Sequence, residues 1–189
     1  MEDDTADATE RPNVGVWVIV AVIVIVAVSA LTFGSSVPPA VGRGVPAPDF
    51  SLPLLDSDLP VTLENLRGRV VLVNFWATWC KPCEDEIPAM ERLYKALRPG
   101  GFEILAISVG ESADVVREFR NRLVVTFPIL LDADKRVSTE WQTFAFPESL
   151  LVDRDGTILE RYVGPRDWDA GAYVDRIRRL LEPPERSGV

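Results

Sequence analysis

The sequence predicts an α/β domain, a central mixed sheet with helices on both faces, preceded by one N-terminal transmembrane helix. Three observations lead there. Val14–Phe33 is a twenty-residue apolar run without a charge, the length a helix needs to cross a bilayer. Farther on, two apolar runs, Val70–Trp76 and Phe102–Val109, bracket an amphipathic segment, the pattern of a parallel strand–helix–strand unit. Finally, Arg154-Asp155-Gly156 separates two β-rich runs, a hairpin signal.

In chain order, residues 1–13 form an acidic N-terminal tail and 14–33 the anchor. A cleaved signal peptide is the alternative, with Val28-Ser29-Ala30 as a small-residue cleavage site. The acidic stretch Glu2–Glu10 and the length of the apolar run oppose it. Arg11 flanks one end of the run, whereas the nearest base beyond the other end is Arg43. The positive-inside rule therefore places the N-terminus in the cytoplasm and the remaining chain outside it. Residues 34–45, rich in Gly, Ser and Pro, read as a linker. One domain is expected over 46–184, with a tail at 185–189.

Within the domain, Pro46–Phe50 is extended and Val61–Leu63 a short strand. Val70–Trp76 is apolar throughout, hence a central strand covered on both faces. The next helix presents Ile87, Met90, Leu93, Tyr94 and Leu97 on one stripe, and Pro99-Gly100-Gly101 ends it. After the strand Phe102–Val109 come a helix over Asp114–Leu123, a short strand over Phe127–Leu131 and a weak helical piece over Ser138–Gln142. Ser149–Asp153 and Thr157–Val163 form the hairpin. A last helix over Asp167–Leu181 presents Tyr173, Val174, Ile177 and Leu181 on one face.

The chemistry is concentrated in Cys80-Lys81-Pro82-Cys83, which holds the only two cysteines of the 189 residues. The motif follows an apolar strand and opens a helix, whose N-terminal N–H groups and partial positive charge favour a thiolate on the first sulfur. Half of a zinc site is the competing reading, but zinc wants four ligands. With no histidine and no further cysteine in the chain, no metal is expected and a redox-active disulfide is. The missing histidine also excludes Ser-His and Cys-His nucleophilic mechanisms. A net charge of −9 leaves no basic stripe for nucleic acid, so membrane contact is expected only through the anchor. No cofactor is called for.

Four blocks carry a family resemblance across most of Pro46–Val163: Pro48-Asp49-Phe50; Leu66-Arg67-Gly68-Arg69 running into Val70–Cys83; Glu86-Ile87-Pro88; and Phe146-Pro147-Glu148-Ser149-Leu150-Leu151-Val152-Asp153. In these the chain resembles the membrane-anchored thioredoxin-like proteins of the TlpA/ResA type, which include the reductases of cytochrome c maturation. The resemblance implies a thioredoxin fold with a central insertion between Val109 and Pro147. It makes Cys80 the exposed nucleophile, Cys83 the buried resolving thiol and Pro147 a cis-proline facing the disulfide, its neighbouring backbone pairing with substrate.

Where plain thioredoxins carry a buried aspartate, this chain has Asn74, which cannot titrate. The resemblance moves the proton-handling carboxylate to Glu86 and lets Glu148 contact substrate. A helix-end acid without function is the alternative for Glu86, and it suffices for Glu84 and Asp85. Trp76 and Trp79 either shield the disulfide or pack in the core. The implied activity is reduction of disulfides in exported proteins such as apocytochrome c, with electrons from a membrane thiol donor. An oxidant or isomerase on the same fold is the alternative. A peroxiredoxin-type peroxidase is disfavoured, because the positions of its Pro and Thr hold Val73 and Ala77.

Overall fold

The structure, a computed structural model, describes residues 14–32 and 40–182. The chain divides into two units, residues 1–39 and 40–189. The expected tails and most of the linker lie outside the described residues.

The first unit contributes helix α1, Val14–Thr32, with side chains 15–29 exposed all round. A membrane span was expected over Val14–Phe33. Among the described residues no helix is long and apolar enough to cross a membrane.

The second unit is built on seven strands: β1 (Ser51–Leu54), β2 (Ser57–Thr62), β3 (Val70–Trp76), β4 (Phe102–Val109), β5 (Ile129–Asp132), β6 (Glu148–Val152) and β7 (Ile158–Val163). Its helices are α2 (Lys81–Leu97), α3 (Ala113–Arg122), α4 (Arg136–Glu140) and α5 (Gly171–Leu181). The strands form one mixed sheet in the order β2-β1-β5-β4-β3-β6-β7. β3 pairs in parallel with β4 and antiparallel with β6, so it sits near the middle and all seven of its residues are buried.

Alternation along β3 divides the core. Val70, Leu72 and Trp76 join the layer under α2, α3 and α5, with Met90, Leu93, Tyr94, Phe119 and Ile177. Val71, Val73 and Phe75 face the opposite layer, with Phe50, Leu105, Leu130, Val137 and Trp141. Both faces are covered, but unequally. Three helices lie on one, whereas the other has short α4 and the irregular chain around Phe50 and Leu63.

Several boundaries differ from expectation, each with a local cause. A hairpin, β1 against β2, replaces the single strand over Val61–Leu63. Pro53 and Pro60 pair with each other, and β1 meets β5 only at Leu54, so few ladder donors are missed. α4 begins at Arg136 rather than Ser138, where the Asp132 carboxylate accepts the N–H groups of Val137 and Ser138 at 3.0 and 2.8 Å. α5 begins at Gly171 rather than Asp167, because residues 167–170 turn inward and bury Trp168. Residues 40–45, expected as linker, belong to the domain: Val41 and Val45 pack on the core, and the Gly44 N–H donates to the Ile158 carbonyl at 2.7 Å.

Candidate active site

The carboxyl end of β3 delivers the loop Ala77-Thr78-Trp79, and Cys80 caps α2 in an extended conformation. Its carbonyl accepts the N–H groups of Cys83 and Glu84, and its Sγ accepts the Cys83 N–H at 3.3 Å. That N–H, at a helix end with positive partial charge, is aimed at the sulfur that must become a thiolate. Pro82 fills the first turn, where no N–H is needed. Cys80 and Cys83 form the disulfide. Cys83 is 1% exposed and Cys80 5%. The first sulfur, expected to be exposed, is the more accessible of the two but is largely covered. The loop ahead of it is held from β4's end, where Glu111 accepts the Thr78 N–H (2.9 Å), the Thr78 hydroxyl and the Ser108 hydroxyl (2.8 Å).

Glu86 lies three residues beyond Cys83, hence on the same face of α2. Its side chain is buried at 4% exposure. Oε1 accepts from Asn74 Nδ2 at 3.0 Å, and Oε2 accepts from the Arg166 N–H and the Trp168 indole N–H, both at 3.1 Å. Burial disfavours the charged carboxylate and outweighs these three donors, so its pKa is pushed up to about 7. Asn74 also donates to Ser149 Oγ at 2.9 Å and so ties the carboxylate to β6. Arg166 and Trp168 were invisible to sequence reasoning: one acts through its backbone, the other is a lone tryptophan eighty-two residues from its partner.

The Phe146–Pro147 peptide bond is cis. β6 begins at the next residue and places Glu148 opposite Phe75, which sets Pro147 beside the loop carrying Cys80. Glu148 itself is fully buried. It pairs with Arg161 and accepts the Phe144 N–H at 3.1 Å. Its carboxylate, expected to contact substrate, faces the interior, because the register of β6 against β3 and β7 turns it there. Trp76 is buried against Phe119, whereas Trp79 is 71% exposed with its ring 5.8 Å from that of Phe146. Lys81 is paired with Asp85 at 2.8 Å and Glu84 at 3.6 Å, both on the surface.

A strand-delivered disulfide at the start of a helix, with a cis-proline beside its loop and a buried carboxyl whose pKa is raised to about 7, is an arrangement suited to thiol–disulfide exchange. Residues 43–161 match the AhpC/TSA family. The chain belongs to the AhpC/TSA family. Among proteins similar to this AhpC/TSA member is the thiol-disulfide oxidoreductase ResA of Geobacillus kaustophilus, 40% identical over 125 residues (66% of this chain, 71% of that protein). ResA of Bacillus subtilis is 32% identical over 149 residues (79% and 81%).

The fold is similar to the crystal structure of a thioredoxin-family thiol:disulfide interchange protein from Chlorobium tepidum. The TM-score is 0.63 and the identity 29%, over 74% of this chain and 98% of that one. With such relatives and with Cys80 bonded to Cys83, this AhpC/TSA protein is a thiol–disulfide oxidoreductase on a thioredoxin-like fold.

Proposed function

We propose that the protein is a membrane-tethered reductase of protein disulfides, working outside the cytoplasm. The charge around Cys80 carries the direction of the reaction. Glu84 and Asp85 crowd the start of α2, where the helix end otherwise favours an anion, and buried Glu86 adds its charge as it deprotonates around pH 7. Lys81, the one base of the motif, is engaged by Glu84 and Asp85. Negative charge near a sulfur disfavours its thiolate and hence the reduced form, which makes the couple more reducing.

The uncharged apolar run Val14–Phe33 supports the tether. Arg11, close to its amino end, supports a cytoplasmic N-terminus and a domain on the far side. There the substrates are disulfides of exported proteins, such as apocytochrome c, in keeping with the motif resemblance. A membrane thiol donor restores the dithiol.

The deciding measurement is the reduction potential of the Cys80–Cys83 pair, by equilibration with glutathione or dithiothreitol. The reading requires a value toward that of thioredoxin, about −270 mV; one near that of DsbA, about −120 mV, would make the protein an oxidant instead.

A further inference from the structure

The turn that leads into Cys80 has one hydrogen bond of its own, from the Cys80 N–H to the Ala77 carbonyl at 3.1 Å. Its second residue, Thr78, is held from outside the turn. The Thr78 N–H donates to Glu111 Oε2 at 2.9 Å, and the Thr78 hydroxyl donates to Oε1 of the same carboxylate. Glu111 lies thirty-three residues farther along the chain, outside the redox motif and its helix. The carboxylate is itself fixed. Ser108, fully buried near the end of β4 and opposite Trp76 in the sheet, donates to Oε2 at 2.8 Å. Next to Glu111, Gly110 adopts a left-handed conformation (φ 73°), with its N–H on the Asp132 carbonyl at 2.9 Å. That turn brings the chain from the end of β4 toward the end of β3.

Cys80 enters α2 at φ −85° and ψ 98°, and from there its Sγ accepts the Cys83 N–H. The helix fixes this entry from one side and the turn from the other. In exchange, the Cys80 thiolate attacks one substrate sulfur, forms a mixed disulfide and releases the other substrate sulfur as a thiolate that takes up a proton. Cys83 then gives up its proton and attacks Cys80 Sγ. The second substrate sulfur leaves and takes a proton up, and the Cys80–Cys83 disulfide is restored. Both displacements lose rate steeply when the attacking or attacked sulfur is misplaced. A backbone N–H held by a carboxylate is one of the stronger hydrogen bonds with which a loop can be fixed.

We propose that Glu111 is a positioning residue for thiol–disulfide exchange: by clamping Thr78 it holds the turn that aims Cys80 Sγ at the Cys83 N–H and at an incoming disulfide. The role is the same for reduction and oxidation, so it does not depend on the direction proposed above. Glu111 also carries charge, and the two effects separate by substitution. In Glu111→Gln the amide oxygen can take the place of Oε2 and accept from Thr78 and Ser108. The NH2 then donates to the Thr78 hydroxyl, which can accept. The clamp survives and the charge is gone. Glu111→Ala removes both. The other charged groups around the motif are Lys81, Glu84, Asp85 and Glu86 on α2 and the Glu148–Arg161 pair of β6 and β7, and all are retained in these variants.

The test uses the full chain in detergent, reduced with dithiothreitol and freed of it. Single-turnover oxidation by glutathione disulfide, the pH profile of Cys80 alkylation and the urea midpoint are measured for each variant. Glu111→Ala should slow exchange about tenfold or more, and its alkylation midpoint should lie above that of Glu111→Gln, because the thiolate has lost the Cys83 N–H. Glu111→Gln should retain most of the wild-type rate. Thr78→Val, which deletes only the hydroxyl contact, should fall between wild type and Glu111→Ala. Combined with Glu111→Ala it should add nothing, since the hydroxyl acts through the carboxylate. Equal rates and profiles for Glu111→Ala and Glu111→Gln would overturn the clamp and leave at most a charge effect. A Glu111→Ala variant that loses urea stability but keeps the wild-type rate and profile would make Glu111 merely structural. A double variant slowed by the product of the two single effects would also overturn it. Should Glu111→Ala prove unfolded, a Thr78→Val variant with wild-type rate and profile would sink the proposal by itself.

Discussion

At Glu86 the burial of a single carboxylate sets part of the pH response, and its place one turn beyond Cys83 is the ground for expecting a part in the chemistry. Burial raises its pKa to about 7 from an ordinary 4.5, so between these values the folded chain holds a proton that the unfolded chain releases. The protonated group's stabilisation is fully present below about pH 4.5 and is lost as pH rises through about 7, a difference of order 3 kcal/mol. Glu86→Gln removes that slope. Its amide oxygen can accept from Arg166 and Trp168, and its NH2 requires that Asn74 turn its amide over and that the Ser149 hydroxyl then donate to Asn74. Urea midpoints of the oxidised protein should therefore fall less from pH 4.5 to 8 in the variant than in wild type. The same substitution should lower the pKa of Cys80 and slow exchange at neutral pH, read from the pH profile of alkylation. An unchanged profile and rate would leave Glu86 a buried acid without a role. Trp168→Phe keeps the packing and deletes one N–H to the carboxylate, a bond worth about 1.5–3 kcal/mol to a charged group. The Glu86 titration followed by NMR should then move above 7, by about one unit or more.

Among the elements, α2 and the β6–β7 hairpin carry the site, and each departs from a uniform pattern where it does so. Pro88 lies inside α2 and leaves the Glu84 carbonyl without its helical donor, just beyond the turn that holds Cys83 and Glu86. In the hairpin, Glu148 and Arg161 form an ion pair with side-chain exposures of 0% and 16%. Arg161→Leu strands the carboxylate in the core and should cost about 3–5 kcal/mol of unfolding free energy, measured by denaturant titration. Replacing Glu148 by Leu as well should recover part of that loss, because the stranded charge is then gone. The hairpin was legible from Asp155-Gly156, since a turn of that kind depends on local backbone preference. The β1–β2 pair was not: its strands contain Pro53 and Pro60, and only their mutual pairing makes them tolerable.

For the molecule as a whole, the two units carry separate claims. The domain stands on its own double-layered core; the proposed tether rests on the apolar run Val14–Phe33 ahead of it. The proposed orientation, with the N-terminus cytoplasmic, predicts that whole cells treated briefly with a reductant expose Cys80 to a membrane-impermeant thiol reagent. Labelling that appears only after lysis would place the domain in the cytoplasm and remove the extracytoplasmic reading.

The sequence by itself determined the features written in neighbouring residues: the central strands Val70–Trp76 and Phe102–Val109, the helix behind Cys80, and the redox pair, whose spacing and lack of other ligands left little else. Glu86 was singled out only through the family resemblance, since an acid at the start of a helix needs no function by itself. Tertiary structure alone decided which groups surround that carboxylate, because Arg166 and Trp168 reach it through a loop whose course depends on how α5 packs. It likewise turned Glu148 inward, since a strand's two faces are assigned by register and not by residue type. Burial and long-range pairing depend on the whole chain, and those are the quantities on which the pKa of Glu86 and the reach of Glu111 to Thr78 rest.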